Sequence, residues 1–167
     1  MIRLCDDNDT ATLHHIINDA ATAYKGIIPD DRYHEPYMSM EELEQELKED
    51  VVFWGYMDSN HQLTGVMGLQ DKGKVCLIRH AYVRSTQRNT GIGSKLLIHL
   101  TNQTEKPILI GTWGSATWAI KFYEKNGFHI VSTEDKVNLL HEYWNVPDRQ
   151  IETSVVLSNC EIDSLGR

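Results

Sequence analysis

The sequence has only three cysteines, Cys5, Cys76 and Cys160, and they are far apart. An odd number at wide spacing, without a Cys-x-x-Cys pair, argues against a disulfide framework and against a zinc cluster. We therefore expect a reducing environment and a cytoplasmic location. The histidines show no H-E-x-x-H or other paired ligand spacing, so no bound metal is expected.

Long apolar runs are also missing. No segment approaches the roughly 20 apolar residues that cross a bilayer, and the N-terminal sequence turns acidic at Asp6 without a signal-peptide pattern. The net charge of -8 at pH 7 argues against broad attraction to nucleic acid or to anionic membranes. It suits a cationic substrate such as an amine, although an acidic surface more often only favours solubility.

Repeats, low-complexity tracts and internal linkers are absent as well. The 167 residues are enough for one sizeable core and short for two, so residues 1–167 are expected to form a single domain. The content of 41% hydrophobic and 24% charged residues is ordinary for a globular protein.

The apolar periodicity predicts alternating strands and helices. Helices are expected from Thr10 to Tyr24, from a Ser39 cap to Asp50, from Gly91 to Gln103 and from Thr117 to Asn126, with a short amphipathic piece at 137–144. The intervening stretch 25–38 contains two prolines and a glycine and is predicted to be a loop. Strands are expected at residues 2–5, 51–57, 63–70, 74–83, 107–113, 128–131 and 151–157.

This order, β-α-α-β-β-β-α-β-α-β-(α)-β, predicts an α/β fold with a central mixed sheet flanked by helices. The sheet should be antiparallel at first and parallel around the strands 74–83 and 107–113. Ligands of open α/β sheets bind beyond the carboxyl ends of parallel strands. Those ends are Val83 and Trp113, which directs attention to the segment after Val83.

That segment ends in Gly91 and Gly93, where a helix begins. The amides of a helix N-terminus, together with the helix dipole, form a site for a phosphate-like anion. A helix that merely starts with two glycines is the alternative. The motif is not G-x-G-x-x-G, because Leu96 stands in place of the third glycine, and its spacing is not that of a P-loop.

Residues 88–93 (R-N-T-G-I-G) match R/Q-x-x-G-x-G/A, and residues 119–128 (A-I-K-F-Y-E-K-N-G-F) match A-x-x-F-Y-x-x-x-G-F. With both blocks in order, the chain resembles the GNAT N-acetyltransferase family. In element order the resemblance covers about residues 1–131.

The resemblance implies transfer of an acetyl group from acetyl-CoA to a primary amine of a small molecule or peptide, directly within a ternary complex. The main chain of Ala81, Tyr82 and Val83 would pair with the pantetheine arm. Tyr123 matches the general acid that protonates the thiolate, with helix packing beside Phe122 as the alternative. The pyrophosphate would be bound by Arg88, Asn89, Thr90, Gly91, Ile92, Gly93 and Ser94.

The general base is not identified. Related enzymes often carry a carboxylate or histidine on the fourth strand, where this chain has Leu77 and Arg79. His80 is close, but a histidine satisfied within the sheet is the alternative. His34 and Glu35 of the loop 25–38 could reach the acceptor, or the loop could be only solvated. An α-amine, partly neutral near pH 8, could need no base.

Ala116 occupies the position at which many members have an asparagine that contacts the cofactor, so Ser115 or Thr117 would have to replace it. Trp113 and Trp118 flank this turn and could line an acceptor pocket, or pack in the core.

The sequence is also compatible with two other functions: a non-catalytic acyl-CoA-binding module of the same fold, and a different α/β nucleotide-binding protein. Nucleic acid and membranes are not expected as partners. A homodimer is possible, since many relatives are dimers.

Overall fold

The computed structural model describes residues 1–165. Its strands form a seven-stranded mixed sheet in the order β1-β2-β3-β4-β5-β7-β6, flanked by helices, which confirms the predicted fold class. The elements in chain order are β1 (Ile2–Leu4), α1 (Thr10–Ala21), α2 (Met40–Lys48), β2 (Val52–Met57), β3 (Leu63–Asp71), β4 (Cys76–Val83), α3 (Ile92–Thr101), β5 (Ile108–Trp113), α4 (Thr117–Lys125), β6 (His129–Ile130), α5 (Thr133–Tyr143), α6 (Asp148–Thr153) and β7 (Ser154–Ser158).

The C-terminal elements differ from the sequence prediction. α5 begins four residues before the predicted start, because Ser132 Oγ accepts a hydrogen bond from Asp135 N at 3.1 Å and caps the helix. The predicted strand 151–157 was wrong in its first three residues. They lie in α6, where the buried Ile151 is a core side chain of a helix. A short apolar run does not distinguish a strand from a helix turn.

The chain divides into two compact units, of which the first comprises residues 1–70 and 78–105. Within it β1 pairs with β2 and β2 pairs with β3, both antiparallel, with Trp54 opposite Met67. The predicted apolar face of α1 is buried. It packs in a core that includes Leu13, Ile16, Ile17, Leu43, Phe53 and Val66.

The second unit comprises residues 71–77 and 106–167. β7 pairs antiparallel with β5 on one side and with β6 on the other, although β6 precedes it in the chain. On β5, a Cβ at Gly111 would lie only 3.3 Å from the Trp144 ring, so glycine allows this close packing. The core includes Val75, Leu77, Leu109, Leu139, Leu140 and Val156.

Candidate active site

The loop after β4 has an unusual backbone. Gly91, the N-cap of α3, is left-handed with φ 84°, and Asn89 is left-handed with φ 60°. Glycine and asparagine are the residues that adopt this conformation most readily. A Cβ at Gly91 would have no atom within 4 Å. Position 91 therefore requires glycine for its backbone conformation and not for lack of space.

The same loop presents main-chain donors. The hydrogen bond from Lys95 N to the Gly91 carbonyl, 3.1 Å long, opens the ladder of α3. The amides of Ile92 and Gly93 precede this bond and lie outside the ladder. With the positive end of the helix dipole behind them, such amides bind anions. Residues 88–91 are exposed, so an anionic ligand can reach this turn from solvent.

The end of α1 anchors the loop. The Asp19 carboxylate accepts hydrogen bonds from Ser85 N at 2.7 Å and from Ser85 Oγ at 3.0 Å. The Arg88 guanidinium donates to the Ala20 carbonyl at 3.3 Å. The bond from the Ser85 amide is the main reason why the pKa of Asp19 lies below its ordinary value. This anchoring role of Asp19 was missed, because nothing in the sequence links α1 to residue 85.

β4 is irregular just before the segment 81–83. His80 has a left-handed backbone, φ 54°, and both Arg79 and His80 contact Glu46. Neighbouring strand residues ordinarily point to opposite faces of a sheet, so this turn of the backbone brings both side chains to one carboxylate. Gly68 permits it, since a Cβ there would lie 2.9 Å from the Arg79 carbonyl oxygen.

Glu46 of α2 is the centre of this cluster, and its side chain is 14% exposed. Arg79 Nη2 donates to Glu46 Oε1 at 2.5 Å, and His80 Nε2 contacts Glu46 Oε2. Arg79 also donates to Gln70 Oε1 at 3.0 Å. Burial raises the pKa of Glu46, but the close contact with His80 and the positive charge of Arg79 outweigh burial and hold the pKa below its ordinary value.

Aromatic rings connect His80 with the predicted acceptor loop. We call the following four residues the tyrosine cluster: Tyr24, Tyr33, Tyr37 and Tyr82. Tyr24 lies 5.4 Å from Tyr37 and 6.3 Å from Tyr82, and Tyr82 lies 6.3 Å from His80, measured between ring centroids. Tyr33 stacks on Tyr37 at 6.2 Å. The cluster therefore extends from the loop 25–38 to β4.

In the second unit, the second sequence block forms α4 and the turn that follows. Tyr123 is buried, with 7% exposure, and its ring lies edge-on to Phe122 at 5.2 Å and to Phe128 at 6.3 Å. Gly127, with φ 92°, directly follows the C-cap Asn126 and ends the helix. The spacing of the block is thus that of a helix, a left-handed glycine and a buried aromatic residue, Phe128.

The sequence matches the GNAT acetyltransferase domain family over residues 10–141. The chain belongs to the GNAT acetyltransferase family. The predicted family is thereby confirmed, and membership supports acyltransferase chemistry. A comparison with curated proteins finds no significant match.

Solved structures of GNAT enzymes share this fold. The PaiA N-acetyltransferase from Thermoplasma acidophilum, in complex with coenzyme A, is 18% identical over 96% of this chain and 98% of its own, with a TM-score of 0.72. A GNAT family acetyltransferase from Staphylococcus aureus Mu50 is 20% identical over 96% and 99%, with a TM-score of 0.69. The ribosomal-protein-S18-alanine N-acetyltransferase from Escherichia coli is 16% identical over 95% and 91%, with a TM-score of 0.65.

The two loop residues predicted to meet the acceptor contact their own loop in this GNAT chain. Glu35 accepts a hydrogen bond from Tyr33 Oη at 3.1 Å and lies 3.7 Å from Lys25 Nζ. His34 Nδ1 lies 2.7 Å from the Pro36 carbonyl oxygen, and its ring stacks on Tyr37 at 6.5 Å. Both residues are exposed. They therefore border the tyrosine cluster at the solvent side, and their role with an acceptor stays a prediction.

The turn between β5 and α4 carries the departure from the family pattern. Ala116 is the buried N-cap of α4 and provides no capping side chain, while Ser115 and Thr117 are exposed. Trp113, the last residue of β5, is 6% exposed and Trp118 is 44% exposed. The two tryptophans thus differ in environment: Trp113 packs in the interior and Trp118 is largely at the surface.

Sequence patterns alone did not single out Glu46, although its position on a helix indicated that it would be buried. It follows the buried Leu43 by three residues and precedes the half-buried Leu47, so it lies on the apolar face of α2. A carboxylate on such a face needs a buried partner. The partners themselves are far along the chain, in β4.

Among residues 1–165, no group of three or more histidine, cysteine, aspartate or glutamate side chains could hold a metal ion. No helix in the same range has both the length and the apolar character needed to cross a membrane.

Proposed function

We propose that the chain transfers an acetyl group from acetyl-CoA to a primary amine of a small molecule or peptide, directly within a ternary complex. The observation that carries this proposal is the anchored loop after β4, with left-handed Gly91 and the amides of Ile92 and Gly93 outside the helix ladder. GNAT membership supports it, as does the coenzyme A in the PaiA structure, which supports an acyl-CoA donor.

Main-chain groups supply most donor contacts in this proposal. The amides of residues 88–94 bind the pyrophosphate, and the main chain of residues 81–83 pairs with the pantetheine arm. A main-chain amide at Ala81 or Tyr82 polarises the thioester carbonyl, as in an oxyanion hole. Tyr123 protonates the departing thiolate. These roles need no metal ion.

The amine acceptor is proposed on chemical grounds. The net charge of -8 favours a cation, and the loop 25–38 carries several acidic side chains beside the tyrosine cluster. Small-molecule and peptide amines share the ammonium group that such a surface attracts. Assembly as a homodimer stays a prediction.

Gly91→Glu tests the donor site by calorimetric titration with acetyl-CoA. We expect the wild-type protein to bind and the variant to lose binding, because a carboxylate at the loop repels the pyrophosphate. Gly73→Glu is the matched control: Gly73 has φ 89° and equally open space around a Cβ, so it carries the same backbone strain without adjoining the loop. Equal affinity of the wild type and Gly91→Glu would remove this loop from the donor site.

Thiol release from acetyl-CoA tests the reaction, with a panel of alkylamines, amino alcohols, amino acid amides and lysine peptides. Release that depends on one class of amine is the expected result and defines the acceptor. Binding of acetyl-CoA without amine-dependent release would indicate the non-catalytic acyl-CoA-binding module instead. Leu77 and Arg79 at the usual positions of the base, and Ala116 at that of the asparagine, are the observations that favour this second candidate.

A further inference from the structure

We propose that His80 accepts a proton from the ammonium group of the acceptor and that Glu46, held by Arg79, is the positioning residue that orients His80 and balances its charge. The proposal rests on the N-acetyltransferase function proposed above. It assigns the base that the usual positions of β4, Leu77 and Arg79, cannot provide.

Glu46 contacts two side chains, Arg79 and His80, whereas a structural ion pair needs only one. A buried carboxylate needs a partner because desolvation of a lone charge is costly, and Arg79 alone satisfies that need through Glu46 Oε1. The second oxygen, Oε2, is directed at His80 Nε2. A proton taken up by His80 would thus form an imidazolium beside a carboxylate, in a setting where the pair is largely shielded from water. A base oriented by a third group in this way is a recurring catalytic arrangement.

The ring of His80 is fixed in position. It stacks on Phe53, at 6.1 Å and 21°, and on Tyr82, at 6.3 Å and 28°, measured between ring centroids and ring planes. With Nε2 directed at Glu46, Nδ1 is the nitrogen left for a substrate, and no residue in the range 1–165 makes a hydrogen bond with it. The titratable and charged groups that face His80 are Glu46 of α2 and Arg79 and Tyr82 of β4.

The place of His80 in the chain fits the role. Its left-handed backbone, φ 54°, directs the side chain toward Glu46 immediately before residues 81–83, which the proposed function assigns to the pantetheine arm. A backbone irregularity of this kind in a strand re-aims a side chain and is frequent next to active sites. The tyrosine cluster leads from the exposed loop 25–38 to the same ring, so an amine that approaches along the cluster meets His80.

The proton balance is complete. The ammonium group gives one proton to His80, which becomes an imidazolium paired with Glu46. The neutral amine nitrogen then forms a bond with the thioester carbonyl carbon. When the C–S bond breaks, sulfur leaves with the electron pair and takes up the second proton of the nitrogen through Tyr123. His80 returns its proton to water, so the net products are the amide, the free thiol and one proton.

The test compares His80→Gln and Glu46→Gln with wild type, using the fastest alkylamine of the panel and its 2,2-difluoro analogue. Fluorine lowers the basicity of the amine, so a substantial fraction of the analogue is neutral at pH 7, whereas the alkylamine is almost entirely protonated. Glu44→Gln, an exposed change on the same helix, and His141→Gln, a change in the exposed pair of His141 with Asp148 at 3.9 Å, are the controls. The readouts are kcat/KM from pH 6 to 10 and the dissociation constant of acetyl-CoA.

We expect His80→Gln to lower kcat/KM for the alkylamine at pH 7 by about 10²-fold, and Glu46→Gln to lower it by about tenfold or more. Both deficits should shrink with the fluorinated amine and as the pH approaches the pKa of the alkylamine, because a neutral amine needs no base. Acetyl-CoA binding and both controls should match wild type. If Glu46→Gln unfolds because it leaves Arg79 without its partner, His80→Gln keeps that ion pair and carries the test.

Losses of kcat/KM that are equal for both amines at every pH would overturn the proton-transfer role. His80 and Glu46 would then have only a structural role. Wild-type kcat/KM in His80→Gln would overturn the proton-transfer role as well. In either case the wild-type protein still acetylates amines, so the proposed function stands. Absence of amine-dependent thiol release in the wild type itself would overturn both.

Discussion

Tyr123 is buried like a core residue, and its hydroxyl is also the proposed proton donor. Its ring is enclosed by Phe122 and Phe128, so Tyr123→Phe retains the ring contacts and removes only the hydroxyl. We expect kcat to fall by about 10²-fold or more, the usual effect of removing one positioned proton donor, while acetyl-CoA affinity changes little. Steady-state kinetics and calorimetry measure the two effects.

Tyr143→Phe is the matched control for this change. Tyr143 is also 7% exposed and belongs to the same unit, but it packs in a core cluster and has no proposed role in the reaction. It should retain wild-type kcat. If Tyr123→Phe also turns over at the wild-type rate, Tyr123 is a packing residue and water protonates the thiolate.

Three left-handed residues lie in and just after β4, in the segment proposed to bind the donor: His80, Asn89 and Gly91. Gly91 was predictable, because glycine at the start of a helix marks such a backbone. Asn89 is a common second choice for this conformation. His80 is unusual for its place inside a strand, and a left-handed backbone at a non-glycine residue costs of order 1 kcal/mol or more. Such strain is retained where the surroundings impose it, here by contact with Glu46 and stacking on Phe53.

At the scale of elements, the loop 25–38 is the segment expected to meet the acceptor. The ion pair of Glu35 with Lys25 is largely exposed, at 64% and 71% of the side chains, so it contributes little to stability. We therefore expect Glu35→Gln and His34→Ala to leave the protein folded while raising the KM for the amine or shifting the pH profile. Acetyl-CoA affinity should be unchanged.

Glu105→Gln, an exposed charge change outside the loop, is the control for a general effect of net charge. Kinetics of both loop variants between pH 6 and 9, on the amine found in the panel, provide the measurement. Parameters identical to wild type across that range would show that the loop is only a solvated connection.

At the scale of the whole molecule, the chain passes between the two compact units three times. Two of these passages lie inside strands, after Gln70 in β3 and between Leu77 and Ile78 in β4, and the third follows Glu105, between α3 and β5. Because neither unit can unfold without breaking a continuous strand, we expect one cooperative transition, as predicted for a single domain. Calorimetric and van't Hoff enthalpies of unfolding should then agree.

Acetyl-CoA should shift that single transition upward. A ligand at 100 times its dissociation constant stabilises a protein by about 2.7 kcal/mol, and each 1 kcal/mol raises Tm by roughly 2–4 °C at this chain length. NAD and ATP at equal concentration serve as controls and should have no such effect. Two separate transitions would contradict a single domain, and a shift with ATP or NAD instead would indicate the other nucleotide-binding fold.

The family and most elements were predictable because their determinants are local. A capping serine at position 39, two glycines at the start of α3 and apolar spacing in α1 each act within a few residues. The loop proposed to bind the donor is recognisable for the same reason, since the groups proposed to bind are main-chain amides whose geometry depends on nearby glycines. The predicted start of α5 was wrong because the capping role of Ser132 was not recognised.

The sequence by itself thus determined the order of elements apart from α6, the GNAT family, and the glycine-containing loop from Arg88 to Gly93 at the start of α3. The tertiary structure decided the position of β7 between β5 and β6, and the contact of Glu46 with Arg79 and His80. Strand order and side-chain pairing between distant segments depend on which apolar faces pack together. Local spacing carries no information on that packing. The contact of Glu46 with Arg79 and His80 can therefore be identified only in the folded chain, where α2 packs near β4.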